Sequence, residues 1–245
     1  MIKKPTVFVL GAGASIHLGY PLGISLLKEI IEKLGNQGSN EFEILKQLGY
    51  EKSLINHFIS ELRHSGITSV DSFLEHRPEY IDIGKTVIAQ ALLPKENMDR
   101  LFPIGNLTWH HYLFEKHMKL KCSFEEFGEN QVSFITFNYD RSLEQFLFTA
   151  LTHTYGKKVE QVAEKLKAIN IVHVHGVLGY LDWQDSKKGR SYNSSSGPEQ
   201  LKAAASMIRI IHEDTENDEI LKKAQNLLGQ ADLVCFLGFF FILDC

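Results

Sequence analysis

Four short apolar runs punctuate the chain, and three of them lead straight into glycine or polar motifs. Residues 6–10 (TVFVL), 132–137 (VSFITF), 171–174 (IVHV) and 233–237 (LVCFL) are rich in β-branched and aromatic side chains. Near-continuous apolar runs of this length read as strands buried on both faces, the pattern of a parallel sheet. Between them, apolar residues recur at three- and four-residue spacing. Helices are expected over 24–34, around Phe42, Leu45 and Leu48, and around Leu54, Phe58 and Leu62. Further helices are expected over 80–93, stopped by Pro94, and over 142–151, 199–206 and 218–228. Strands alternating with helices predict an α/β fold, a Rossmann-like parallel sheet with helices on both faces.

The connection between the first two strands is too long for one crossover. Residues 36–125 read as a largely helical insert packed near the mouth of the sheet, opened by the turn-rich GNQGSN at 35–40. Residues 179–198 are polar and rich in Ser, Gly and Lys, and read as a mobile loop. With no internal repeat, residues 1–245 read as one domain. The last ten residues, FLGFFFILDC, are apolar almost to the end. An exposed tail is not normally this greasy. The expectation is a tail tucked into the core or a natural protein that continues past Cys245, and the reading favours a shortened or altered end.

Composition narrows the function classes. A chain of 245 residues, 44% hydrophobic and 23% charged, has the makings of a sizeable core. Its formal net charge is -4 and it has no long basic run, so no nucleic-acid partner is expected. Cys122, Cys235 and Cys245 are far apart and no CxxC occurs, which argues against a disulfide framework or a zinc ribbon and suits a reducing compartment. The apolar residues 7–10 are too few for a signal peptide, and no stretch reaches the roughly 20 apolar residues of a membrane helix. A cytoplasmic protein without a membrane partner is expected.

Candidate chemistry lies at the strand ends. In an open parallel sheet, ligands sit beyond the carboxyl ends of the strands. Gly11–Ser15 (GAGAS), Asn138–Asp140 (NYD) and His175-Gly176 all fall there if the strands are parallel. Gly11 and Gly13 allow a tight turn and close approach to a ligand, and a following helix would offer N–H groups to a pyrophosphate. Ile16 stands where a third glycine would complete G-x-G-x-x-G, so a plain strand-to-helix turn is the alternative. Asn138 can orient a ribose hydroxyl, an amide or a water, or cap a helix. For Asp140 the cap is the favoured role. His175 is the candidate general base, against a buried histidine bonded to a carbonyl. His173 shares its strand face, but no carboxylate or thiol at a persuasive spacing makes a metal site of the pair. No G-x-S-x-G elbow and no Walker-type loop is present.

Taken in order, VFVLGAGAS with the nearby GYP, then FITFNYD, then HVHG resemble the sirtuin-like superfamily, and most closely the bacterial sirtuin-like domains of antiphage defence. The resemblance spans roughly residues 7–238. It implies a nucleotide turn at Gly11, Ala12, Gly13 and Ser15, a catalytic asparagine at Asn138 and a catalytic histidine at His175. Thr136 and Asp140, either side of Asn138, and Gly238, after the last strand, join the implied nucleotide contacts. SVDSFLE, around Asp71 and Phe73, looks like a stretch these domains carry in their helical part. The chain departs from the deacylating sirtuins, because it cannot build their four-cysteine zinc module and has Leu22-Gly23-Ile24 after Pro21. No zinc is expected. Gly238 is followed by Phe239-Phe240-Phe241 rather than by a glycine-rich turn.

The resemblance implies an NAD glycohydrolase that releases nicotinamide and ADP-ribose, with NAD depletion in antiphage defence. Such an activity calls for gating, by self-association or by a defence-system partner. The alternatives are a non-catalytic module that binds NAD or ADP-ribose, and an NAD-dependent ADP-ribosyltransferase or deacylase.

Overall fold

The computed structural model describes residues 1–193, 197–210 and 218–239. Its sheet has four strands, all parallel: β1 (Thr6–Leu10), β2 (Val132–Thr136), β3 (Asn170–His173) and β4 (Leu233–Leu237). They lie in the order β3-β2-β1-β4. Thr6 pairs with Val132 on one side and Leu233 on the other, and Thr136 pairs with His173, so all four carboxyl ends emerge along one edge. The strand runs out from β1 in both directions, and the crevice between β1 and β4 is the switch point at which open α/β sheets take ligands. β2 stops at Thr136 because the Asn138 amide turns back to donate to Thr136 Oγ1 at 3.0 Å.

Seven α-helices lie between β1 and β2: α1 (Gly23–Gly35), α2 (Asn40–Gln47), α3 (Lys52–His64), α4 (Val70–His76), α5 (Ile81–Leu92), α6 (Met98–Leu101) and α7 (Trp109–Leu113). The expected helical insert is therefore present. Ser39 and Ser69 open α2 and α4 by accepting from the amides of Phe42 and Ser72. α8 (Ser142–Tyr155) and α9 (Val159–Leu166) connect β2 to β3, and α10 (Pro198–Ser206) and α11 (Glu219–Gly229) precede β4. Gly156, in the left-handed region at φ 59°, ends α8.

The two sheet faces differ. One carries Leu10, Phe134 and Ile171 into a large apolar cluster that continues through α1, α3, α4, α5 and α8, so sheet and insert share one core. The other carries Val7, Val9, Ile135 and Val172 and is covered by α11 through Ala224, Ile220, Leu221 and Leu227. Helices on both faces of a parallel sheet make the fold Rossmann-like. Among the described residues, no helix is long and apolar enough to cross a membrane.

The segment expected to be a mobile loop is packed down in its described part. Leu181 and Tyr192 are buried. The Arg141 guanidinium donates to the carbonyls of Tyr180 and Arg190, at 2.7 and 3.1 Å. Arg190 in turn reaches Glu96 on the insert. Long-range ion pairing thus holds a stretch whose own composition has little to bury. Within the tail, the reading for Phe240–Cys245 lies outside the described residues.

Candidate functional site

At the carboxyl edge the predicted Gly11, Gly13, Ser15, Asn138, Asp140 and Gly238 form one hydrogen-bonded group, and His175 stands outside it. After β1 the chain enters a 3-10 turn over Ala12–Leu18, ended by Gly19 at φ 89°. Gly11 donates its amide to the Leu237 carbonyl at 2.8 Å, and Gly13 donates to the Gly238 carbonyl at 2.9 Å. A β-carbon on Gly13 would sit 2.8 Å from Gly238 Cα, so glycine is required for the two backbones to cross this closely. Gly238 therefore touches the turn directly.

Asn138 ties β2 to that turn. Its Nδ2 donates to the Gly11 carbonyl at 3.0 Å and to Ser15 Oγ at 3.1 Å. Ser15 Oγ passes a hydrogen bond on to Asp140 Oδ2 at 2.7 Å. Asp140 also accepts from the Ser142 amide at 3.1 Å and from the Ser142 hydroxyl, which fixes it to the first residue of α8, although the N-cap position itself falls on Arg141. Burial pushes the Asp140 carboxyl up from its ordinary range, against the opposing pull of the Ser142 and Ser15 hydrogen bonds. Among the described residues, Asn138 Oδ1 takes no internal hydrogen bond, which leaves it as the acceptor that can face a ligand.

A cavity of about 110 Å³ lies against this group, bounded by Ala12, Ser15, Tyr20, Asp71, Phe137, Asn138, Tyr139 and Asp140 among others. Pockets for whole small-molecule ligands run from roughly 300 to 1,000 Å³. The enclosed part of this site thus accommodates one ring, and a dinucleotide would have to extend outward over the glycine turn. There the Phe239 ring lies against Gly11 and stands 6.0 Å from the Phe137 ring.

His175 sits beside the cavity rather than in its wall. Its ring is 5.7 Å from that of Phe137 and 6.0 Å from that of Tyr139. The Arg209 amide donates to its carbonyl at 2.7 Å, and Gly176, at φ 78°, lets the chain turn away directly after it. Among the described residues, Nδ1 of His175 is buried without a hydrogen-bond partner. Burial lowers its pKa; Asp71 and Glu75 pull the other way, and Arg209 adds to the lowering. A neutral imidazole is the form a general base requires.

Asp71 and Tyr139 are members of the site that sequence reasoning did not assign a role. The Tyr139 hydroxyl donates to Asp71 Oδ1, joining α4 of the insert to the end of β2. Burial and the Asp71 charge hold the Tyr139 phenol well above its ordinary pKa. No local pattern marks that pair, because α4 and β2 are far apart in the chain. Thr136 is buried behind Asn138, and its Oγ1 is occupied by the Asn138 amide.

His173 does not pair with His175. Its Nδ1 bonds the Asn138 carbonyl at 3.0 Å and its Nε2 bonds Glu144 Oε1 at 2.6 Å. Burial alone would lower its pKa, but Glu144 and the Asn138 carbonyl outweigh burial and raise it. A raised pKa contributes stability that is complete below the unfolded value, about 6.5, and is lost as pH rises through the folded value. Urea titrations from about pH 6 to pH 9 are therefore expected to show stability falling with pH, and His173→Gln to flatten that part of the curve. An unchanged slope in the variant would refute the assignment. Among the described residues, no three His, Cys, Asp or Glu side chains converge as a metal site.

No family model matches the chain, and no curated protein matches it.

Proposed function

We propose that this protein binds NAD across the carboxyl edge of the sheet and hydrolyses the bond between nicotinamide and ribose. The observation that carries the reading is the meeting of the Gly11–Ser15 turn, the Asn138 amide and, beside them, the His175 imidazole, residues far apart in the chain, at the ends of β1, β2 and β3. The ordered motifs that resemble the sirtuin-like defence domains support the same reading. In this mechanism the nicotinamide end occupies the small cavity, and the pyrophosphate lies over the glycine turn once the Phe239 ring gives way. Asn138 Oδ1 orients a ribose hydroxyl or the attacking water. His175 takes the proton from that water as the carbon–nitrogen bond breaks, and the electron pair of that bond leaves with neutral nicotinamide. Water and NAD thus yield ADP-ribose, nicotinamide and a proton. Orientation and charge stabilisation supply most of the acceleration.

In a cell this activity would deplete NAD during phage infection, held in check until self-association or a defence-system partner releases it. The test is nicotinamide release from NAD, measured over a range of protein concentrations. Asn138→Ala and His175→Ala are each expected to reduce the rate about 100-fold or more while circular dichroism stays unchanged. Turnover that survives both substitutions unchanged would refute the roles given to Asn138 and His175, and no turnover and no NAD binding at any protein concentration would refute the hydrolase. The Phe239 ring over the turn favours a second reading, a module that holds NAD or ADP-ribose without turnover. Saturable NAD binding with no product at any protein concentration would decide for it.

A further inference from the structure

We propose that the helical insert supplies the group that reads the sugar: Asp71, on α4, accepts a hydroxyl of the nicotinamide ribose in the cavity beside Asn138. This rests on the NAD reading and names the part of the ligand that the enclosed space holds. Asp71 and Asn138 both line that cavity. Its volume of about 110 Å³ corresponds to a sphere roughly 6 Å across, so groups on facing walls can bond to one five-membered ring. The Tyr139 hydroxyl holds the Asp71 carboxyl in place by donating to Oδ1. Oδ2 takes no hydrogen bond among the described residues, and it is not sealed from solvent, because Asp71 is only half-buried.

The side-chain atoms left over on this cavity are acceptors. Asn138 Nδ2 uses its two hydrogens on the Gly11 carbonyl and on Ser15 Oγ. The Ser15 hydroxyl donates to Asp140, and the Tyr139 hydroxyl to Asp71. The Tyr20 hydroxyl has no hydrogen bond, but it has almost no accessible surface either. Asp71 Oδ2 and Asn138 Oδ1 remain to be met. A vicinal diol brings two donors to them. A carboxamide would also bring a carbonyl that no side chain here answers. Because a hydroxyl both donates and accepts, it suits Asp71 with or without its proton.

The Asp71 charge also pulls the His175 pKa upward, as does that of Glu75 one turn further along α4. The experiment therefore has to separate contact from charge at a distance. Binding is measured by titration calorimetry on the whole chain in a His175→Ala background, so that nothing is consumed. The probes are NAD and its 2′-deoxy and 3′-deoxy forms, each changed on the nicotinamide ribose alone. Asp71→Asn is expected to weaken NAD about tenfold or more. It is expected to weaken the analogue that lacks the contacted hydroxyl less than about twofold, because that bond is already gone. Asp71→Glu keeps the charge and displaces it by a methylene. It should act like Asp71→Asn, and it decides if that variant fails to fold. Glu75→Gln removes a neighbouring charge that does not line the cavity and is expected to leave the pattern untouched. If NAD binds but Asp71→Asn weakens all three probes alike, or none, Asp71 does not read the sugar and the NAD reading stands without it. Equal effects of Glu75→Gln and Asp71→Asn would likewise overturn the contact. If no probe binds, both readings fall.

Discussion

Glu96→Leu is expected to destabilise the protein by about 3–5 kcal/mol. Glu96 and Arg141 are 4% and 1% exposed, respectively. The Arg141 guanidinium meets the carboxylate with both ends of its fork, Nε to Oε1 at 2.8 Å and Nη2 to Oε2 at 2.9 Å. Arg190 adds a further bond to Oε1 at 2.8 Å. Removing Glu96 leaves a buried cation without its counter-charge, and the loss is much larger than the pair's net contribution to stability. Burial already works against the charged form of Arg141, with Glu96 the main opposing influence. In thermal denaturation the variant is expected to melt roughly 6–20 °C lower, at about 2–4 °C per kcal/mol for a chain of this size. Adding Arg141→Met should recover part of the loss, because the stranded charge is then gone. Failure of the second substitution to recover anything would mean that Glu96 matters for shape rather than charge.

Gly238→Ala is expected to be nearly as severe, about 2–5 kcal/mol. Its φ of 74° is in the region that disfavours a side chain, and an added β-carbon would lie 2.0 Å from the Ala14 nitrogen and 2.6 Å from the Gly13 carbonyl carbon. Both neighbours are backbone, so they cannot swing aside. Gly229→Ala is the matched control: it closes α11, and a β-carbon there meets nothing within 4 Å. The control should be neutral or slightly stabilising. Equal melting temperatures for the two alanine variants would show that the crossing of β4's end over the glycine turn is looser than its geometry indicates.

The sheet was legible in the sequence because a parallel strand has to be apolar along its whole length. Residues 6–10 and 233–237 match β1 and β4 end for end, and β2 and β3 differ by one residue at their ends. The same logic sent Asn138 and His175 to one edge, since parallel strands all deliver their carboxyl ends together. α9 was not legible. It buries only Val162 and Leu166, too few apolar positions to show a period. Nor was the packing of the segment after β3, whose anchors Arg141 and Glu96 lie far away in sequence. At the site, residue types predicted which side chains meet but not what they bond. The commitment of Asn138 Nδ2 to the glycine turn, the Tyr139–Asp71 link and the Phe239 ring over Gly11 are tertiary contacts, invisible to local pattern.

The unequal sides of the sheet bear on how the molecule would come apart. One side is locked into the aromatic and aliphatic mass of the insert, whereas the other, among the described residues, rests under a single helix of which only Ala224 is fully buried. Openings that lift that helix sacrifice few buried contacts, so they recur far more often than collapse of the whole. The glycine turn leans instead on the border strand β4, through Leu237 and Gly238. Its shape is thus only as persistent as the ladder that joins β4 to β1, and any molecule that clamps the border strand would hold the turn in place too.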